Sequence, residues 1–213
     1  MLRGFSAAVC EFETILTQNK TMERHKPVKS SNTHSVHTGK SAPARVRFMT
    51  CAGMTAALYL LFTELSAMLG LSGGVIQLRL SEALTILPAV LSGPSGIAAG
   101  IGLFTGCLLS NLLTGCALWD IVFGSLATLL GAAGTYLLRR HPYLAWIPPA
   151  LANTLIIPQV LIRVYGAEEA LGILTLTVGM GEILSCGVLG LLLCRALTKR
   201  GLSGGGRSRN RTS

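Results

Sequence analysis

The chain has 213 residues, of which 50% are hydrophobic and 13% are charged, and its mean hydropathy is +0.57. Soluble domains carry about 25% charged residues. The net charge of +9 lies in the flanks, with +5 in residues 1–47, −2 in residues 48–194 and +6 in residues 195–213. This distribution argues against a nucleic-acid-binding protein and is typical of an integral membrane protein.

The two flanking segments have the composition of solvated tails. Residues 1–47 are rich in Ser, Thr, Lys, His and Asn, which predicts a disordered basic tail. Residues 198–213 form a second basic tail, rich in Gly, Ser and Arg. His34 and His37 are spaced like half of a metal site, but no second pair accompanies them, and the 6 cysteines form no Cys-x-x-Cys pair. We therefore expect no metal and no redox centre.

The middle of the chain contains long uncharged runs, which indicate membrane spans. No Asp, Glu, Lys or Arg occurs in residues 83–119 or 121–138. About 20 apolar helical residues cross a bilayer. We predict an all-α integral membrane protein whose domain, residues 48–197, is a six-transmembrane-helix bundle. The spans are expected at 48–69, 75 or 82–91, 95–113, 118–138, 147–165 and 170–197.

The basic residues predict the orientation of this bundle. An even number of spans puts both termini on one side. With both termini cytoplasmic, the two tails and the Arg139-Arg140 loop place 16 of the 18 basic residues inside. The expected location is a bacterial-type plasma membrane, which the chain crosses several times.

This topology brings five polar residues toward the outer side of the bundle, with Glu182 near the middle of the sixth span and Asn153 deeper in the fifth. A carboxylate at membrane depth costs about 2.5–3.5 kcal/mol on insertion scales, so Glu182 should face protein or a polar cavity. We favour a solute pocket; the alternative is internal ion pairs or, for Asp120, compensation of the helix dipole. Acids and amides suit a solute with several N–H donors. The candidates are Gln77, Arg79, Glu82, Asn111, Asp120, Asn153 and Glu182.

The inventory of residues argues against an enzyme and suggests a partner protein. No intramembrane His is available to activate a Ser or Cys, and no nucleotide-binding motif occurs, so we expect no cofactor. Active transport would need an ion gradient or another subunit. Ala52 and Ala56 lie one above the other on the first span, a spacing that lets a second helix approach closely. Internal packing is the alternative role of this pair.

Four segments carry a resemblance to a known family: 76–84 (IQLRLSEAL), 119–129 (WDIVFGSLATL), 148–153 (PPALAN) and 179–182 (GMGE). Over residues 48–197 the chain resembles the QueT family, membrane proteins assigned to uptake of queuosine precursors. That family is similar in size and topology to the substrate-binding S components of energy-coupling factor (ECF) transporters. The resemblance implies a 7-deazaguanine ligand and, as partners, a transmembrane T subunit and two cytoplasmic ATPase subunits. It also places Ala52 and Ala56 at the S-component docking face.

The chemistry of a 7-deazaguanine suggests roles for the polar residues. Its ring N–H and exocyclic NH₂ lie side by side and suit one carboxylate, Glu182 or Glu82. Its carbonyl needs a donor such as Arg79, Gln77 or Asn153, and an aminomethyl group would suit Asp120. A stand-alone carrier or channel driven by a gradient, and a membrane scaffold without a ligand, remain as alternatives.

Overall fold

The computed structural model describes residues 44–71, 77–91, 93–166 and 171–200. Within these ranges all regular structure is helical. The α-helices are α1 (Ala44–Met68), α2 (Leu87–Val90), α3 (Gly93–Leu113), α4 (Leu118–Leu137), α5 (Ile147–Tyr165), α6 (Leu171–Glu182) and α7 (Gly190–Lys199). A 3₁₀ helix, Leu80–Ile86, precedes α2, another, Leu138–Arg140, follows α4, and a π-helix, Ile183–Leu189, joins α6 to α7.

Five of the described helices are long and apolar enough to cross a membrane. They are Ala44–Met68, Gly93–Leu113, Leu118–Arg140, Ile147–Tyr165 and Leu171–Lys199; a shorter apolar helix, Leu80–Val90, accompanies them. The all-α membrane class is confirmed. The described part of α1 begins at Ala44, four residues before the predicted start of the membrane domain, whose boundaries stay a prediction. The rest of the predicted tails, residues 1–43 and 201–213, lies outside the described residues.

Helices α1 and α3 run parallel and pack through small residues. A methyl group added at Gly102 would overlap the carbonyl oxygen of Ala52, and one added at Gly106 would lie 2.8 Å from the carbonyl oxygen of Ala56. The contacts advance in the same direction along both helices. The chain between them must therefore return to the end where α1 begins.

The 3₁₀ helix Leu80–Ile86 and α2 make this return. Their 7 and 4 residues cover only about 20 Å at rises of about 2.0 and 1.5 Å per residue, less than a hydrocarbon core of about 30 Å. Pro88 is accommodated in the first turn of α2, where no intrahelical N–H is needed. Leu80–Val90, which overlaps the predicted second span, is therefore a short, tightly wound segment rather than a regular transmembrane α-helix.

Helices α3, α4, α5 and α6 follow one another in antiparallel order. A methyl group at Gly131 of α4 would lie 2.7 Å from Cα of Pro149 in α5, and one at Gly179 of α6 would lie 3.3 Å from Thr154. Gly166, at φ +63°, ends α5 in the left-handed conformation that glycine adopts without strain. Glycines thus set the close approach of successive helices.

The apolar core surrounds the short second crossing. Ile86, Leu87 and Val90 are each 1% exposed and belong to one cluster with Tyr59 and Leu103. Many other large apolar side chains point outward on the five long helices, as expected where lipid replaces water. The short segment Leu80–Val90 is consequently enclosed by protein and not by lipid.

Candidate functional site

Two carboxylates meet inside the bundle. Glu82 lies in the 3₁₀ helix and Glu182 is the last residue of α6; they are 1% and 5% exposed. One carboxylate oxygen from each and Sγ of Cys186 lie within 4.8 Å of one another. Two acids this close in a dry setting repel each other unless a positive charge or a donor lies between them. We call Glu82 and Glu182 the carboxylate pair.

Glu182 is held by hydrogen bonds from two other elements of its surroundings. Asn153 of α5 donates from Nδ2 to Oε1 over 3.1 Å. Cys186 of the π-helix donates from Sγ to Oε2 over 3.2 Å. Both carboxylate oxygens of Glu182 therefore already have a partner.

Glu82 is only half satisfied. Tyr59 of α1 donates its hydroxyl to Oε1 over 2.5 Å. The second oxygen, Oε2, is buried and has no hydrogen-bond partner among the described residues. Leaving a buried acceptor unpaired costs about 1–3 kcal/mol, and more when the group is charged. This oxygen is the free acceptor of the site.

Irregular backbone brings these groups together. The hydroxyl of Thr85 donates to the carbonyl oxygen of Glu82 over 2.6 Å, and Sγ of Cys186 lies 3.5 Å from the same oxygen. The 3₁₀ helix around Glu82 contacts the π-helix that follows Glu182. Ser81 and Ser185, on these two segments, carry buried hydroxyls without a partner among the described residues. These two segments therefore carry hydrogen-bonding groups that the described contacts do not use.

Arg79 and Gln77 lie at the edge of the carboxylate pair and are half-buried. Arg79 interacts electrostatically with Glu82 and with Glu182, but it forms no ion pair with a described carboxylate. The backbone of Gln77 packs so closely on Gly181 that any side chain at Gly181 would overlap its carbonyl oxygen. One cation therefore stands beside two acids.

Asn111 and Asp120 lie farther along α3 and α4. Asn111 is buried and donates from Nδ2 to Sγ of Cys107 over 3.7 Å. Asp120 accepts a hydrogen bond from the Tyr165 hydroxyl over 3.1 Å, and that hydroxyl accepts the N–H of Ala117 over 3.0 Å. No described hydrogen bond joins Asp120 to the carboxylate pair. Asp120 lies in the first turn of α4, and its described hydrogen bond joins that turn to Tyr165 at the end of α5.

The structure thus brings together five of the seven predicted polar residues, namely Gln77, Arg79, Glu82, Asn153 and Glu182. Sequence reasoning missed Tyr59, Thr85 and Cys186 as members of the cluster. The signal for Cys186 is its position four residues after Glu182, because residues at this spacing share a helix face. Tyr59 could have been found as a hydroxyl placed well inside a span.

Ala52 and Ala56, the predicted docking residues, pack against α3 of the same chain. Their carbonyl oxygens contact Gly102 and Gly106 of α3, and Ala56 is buried. These contacts serve packing within the bundle; Ala52 is half-buried, and docking of a second protein at this pair stays a prediction. Gly53, one residue on, is exposed and has no atom within 4 Å of an added methyl group.

Glu82, Glu182 and Cys186 offer three ligand atoms of a kind that metal ions use. Arg79 lies beside them, and Glu182 and Cys186 already bond to each other. A neighbouring cation and occupied ligand atoms disfavour a metal ion. The arrangement fits an organic ligand with N–H donors better.

These features define a multi-pass helical membrane protein with a polar cluster buried in its bundle. The family model described as QueT transporter matches residues 49–199 of the chain. The chain belongs to the QueT transporter family, which confirms the resemblance and makes it a membrane transport protein rather than an enzyme by family. No curated protein and no solved structure matches it.

Proposed function

We propose that this chain is the substrate-binding membrane subunit of an ATP-driven ECF-type importer, and that its substrate is a queuosine precursor of the 7-deazaguanine type. Membership of the QueT transporter family supports the transport of such a compound. The observation that carries the substrate class is the carboxylate pair, in which Oε2 of Glu82 has no described partner.

The unpaired oxygen suits the hydrogen-bonding edge of a 7-deazaguanine. The ring N–H and the exocyclic NH₂ of that edge are adjacent donors, which one carboxylate accepts together. We assign this role to Glu82, because its Oε2 has no described partner, whereas both oxygens of Glu182 already accept hydrogen bonds. Oε1 of Glu82 accepts the Tyr59 hydroxyl with one lone pair and has a second for the ligand. Arg79 or Gln77 supplies the donor for the ligand carbonyl. Glu182, beside Glu82, provides negative charge for a cationic substituent.

We further propose six membrane crossings with both termini in the cytoplasm. The parallel packing of α1 and α3 supports a return crossing between them, and the short segment Leu80–Val90 provides it. This orientation places Arg139 and Arg140 at the cytoplasmic end of α4, in agreement with the positive-inside rule. It opens the site toward the outside, where an imported solute must first bind.

Coupling to a T subunit would use the exposed side of α1. Of the five long helices, α1 is the least buried. Gly53 and Ala57 are exposed and lie four residues apart, so they form a smooth strip along which a partner helix could pack. We place the docking surface at Gly53 and Ala57 in preference to Ala52 and Ala56, which contact α3.

Reconstitution separates the ECF assembly from the alternative, a stand-alone carrier or channel driven by a gradient. Purified protein in vesicles would be tested for uptake of radiolabelled 7-deazaguanines, alone and together with a T subunit and ATPases. The proposal expects saturable binding by the isolated chain but uptake only with the partners and ATP. Gradient-driven uptake by the chain alone would establish the carrier instead.

A binding panel tests the substrate class directly. Deazaguanines, guanine and several vitamins would be titrated onto the purified chain. Because the guanine-type edge is the recognised feature, the 7-deazaguanines should bind and the vitamins should not. Failure of every purine-like compound to bind would refute the proposed substrate.

A further inference from the structure

A groove between α4 and α5 lies apart from the carboxylate pair. It encloses about 400 Å³ and is lined by Trp119, Phe123, Leu155, Ile156, Gln159, Val160, Arg163 and Val164. Trp119 and Leu155 are among the exposed large apolar residues, so the groove opens on the outer surface of the bundle. In a membrane protein this surface faces lipid.

The polarity of the groove changes in steps along α5. Leu155, Gln159 and Arg163 follow at intervals of four residues and therefore share one face of the helix. At a rise of about 1.5 Å per residue, Leu155 and Arg163 are about 12 Å apart along the axis. Arg163 lies in the last turn of α5, two residues before its end, and Leu155 lies toward the membrane interior. Toward the end of α5, this helix face therefore changes from an apolar side chain, through an amide, to a cation.

The cation at the top of the groove is exposed and makes no ion pair within residues 44–71, 77–91, 93–166 and 171–200. The nearest described acid by position, Asp120, accepts its hydrogen bond from Tyr165. Opposite Arg163, Trp119 lies in the first turn of α4 and stacks on Phe123, with ring centroids 5.9 Å apart. Trp at a helix end is typical of the headgroup level of a bilayer.

We infer that this groove is a binding site for an anionic phospholipid. The phosphate contacts Arg163, the ester region accepts a hydrogen bond from the Gln159 amide, and one acyl chain lies on Leu155 and Phe123. Three features select this occupant over another helix: a cation that makes no ion pair with a described residue, its place in the last turn of α5, and the apolar floor beneath it. Juxtamembrane Arg side chains attract anionic headgroups in this way.

The test compares two lipids and four proteins, the parent and three variants. Purified, delipidated protein in detergent would be titrated with phosphatidylglycerol and with phosphatidylcholine, and bound lipid would be counted by native mass spectrometry. Phosphatidylglycerol should bind about tenfold more tightly than phosphatidylcholine. Arg163→Gln should remove this preference and leave phosphatidylcholine binding unchanged, because only the charge is lost.

Arg140→Gln is the matched control. Arg140 is also exposed, but it lies in the 3₁₀ helix after α4, at the end of α4 away from Trp119 and the groove. This variant should keep the lipid preference. Gln159→Leu, which keeps the volume of the groove, should weaken both lipids a few-fold. Equal losses in Arg163→Gln and Arg140→Gln, or no preference in the parent protein, would overturn the proposal. The proposal would also be overturned if inorganic phosphate alone stabilised the parent protein as much as phosphatidylglycerol does. The site would then recognise an anion and not a lipid.

Discussion

Replacement of Glu82 by Gln separates a ligand-binding role from a structural one. In Glu82→Gln the amide oxygen still accepts the Tyr59 hydroxyl, and the new NH₂ takes the position of Oε2, which has no described partner. The free protein therefore loses no observed hydrogen bond. It also loses one of two charges whose oxygens lie within 4.8 Å. We expect the melting temperature to stay the same or rise.

Ligand affinity should change in the opposite direction. The new NH₂ faces the ring N–H and exocyclic NH₂ of the ligand, so a hydrogen bond to a charged acceptor is replaced by a contact between donors. Such a bond contributes about 1.5–3 kcal/mol, which corresponds to a loss of about tenfold to a hundredfold in affinity. Calorimetric titration and thermal unfolding on the same preparation measure both quantities. Parent-like affinity in a destabilised Glu82→Gln protein would remove Glu82 from the site.

The control for this experiment is Asp120→Asn. Asp120 is also an intramembrane-flanking acid, but its described hydrogen bond goes to Tyr165. We expect its substitution to change affinity less than about threefold, because a contact at the helix start and not in the carboxylate pair is altered. A tenfold loss in Asp120→Asn would instead support Asp120 as the acid that holds an amine of the ligand.

Four further substitutions test the packing and the coupling. Tyr59→Phe leaves the Glu82 carboxylate without its buried donor and should lower the free energy of unfolding by about 1–3 kcal/mol in a denaturation series. Gly106→Ala forces α1 away from α3 and should cost about 1–3 kcal/mol, whereas Gly53→Ala, which meets open space, should not destabilise. Ala57→Leu should abolish ATP-driven uptake in the reconstituted complex yet leave ligand affinity unchanged, because the added bulk blocks only the approach of a partner helix. Equal stability of the two glycine variants, or normal uptake by Ala57→Leu, would contradict these expectations.

The long uncharged runs were sufficient to predict the membrane class and most helix positions. They identify α3 and α4 because bilayer thickness fixes the length of a regular helix. The short segment Leu80–Val90 is harder to predict from the sequence, because its 3₁₀ backbone lacks the 3.6-residue periodicity of an α-helix. Arg79 and Glu82 also interrupt its apolar pattern. Charged residues can occur there because protein, and not lipid, surrounds this segment.

Sequence spacing places a residue at a level in the membrane but does not say which neighbour it faces. Glu182 and Asn153 were identifiable because an acid and an amide inside apolar spans need partners. Asp120 shares the expected outer end with the candidate residues, yet its described contacts lie elsewhere. Ala52 and Gly53 are adjacent on α1, and only the position of α3 decides which of them is covered.

The location of the carboxylate pair follows from where the backbone departs from the α-helix. Backbone at membrane depth can leave the regular hydrogen-bond ladder only where protein encloses it or where it lines a cavity. The two departures in the described bundle core, the 3₁₀ helix with Glu82 and the π-helix after Glu182, contact each other. Each costs regular backbone hydrogen bonding, and their side-chain hydroxyls and the free carboxylate oxygen are not fully used. Irregular backbone of this kind is frequent at functional sites, and here it coincides with unpaired acceptors that a ligand with N–H donors could fill, which is why we place the substrate there.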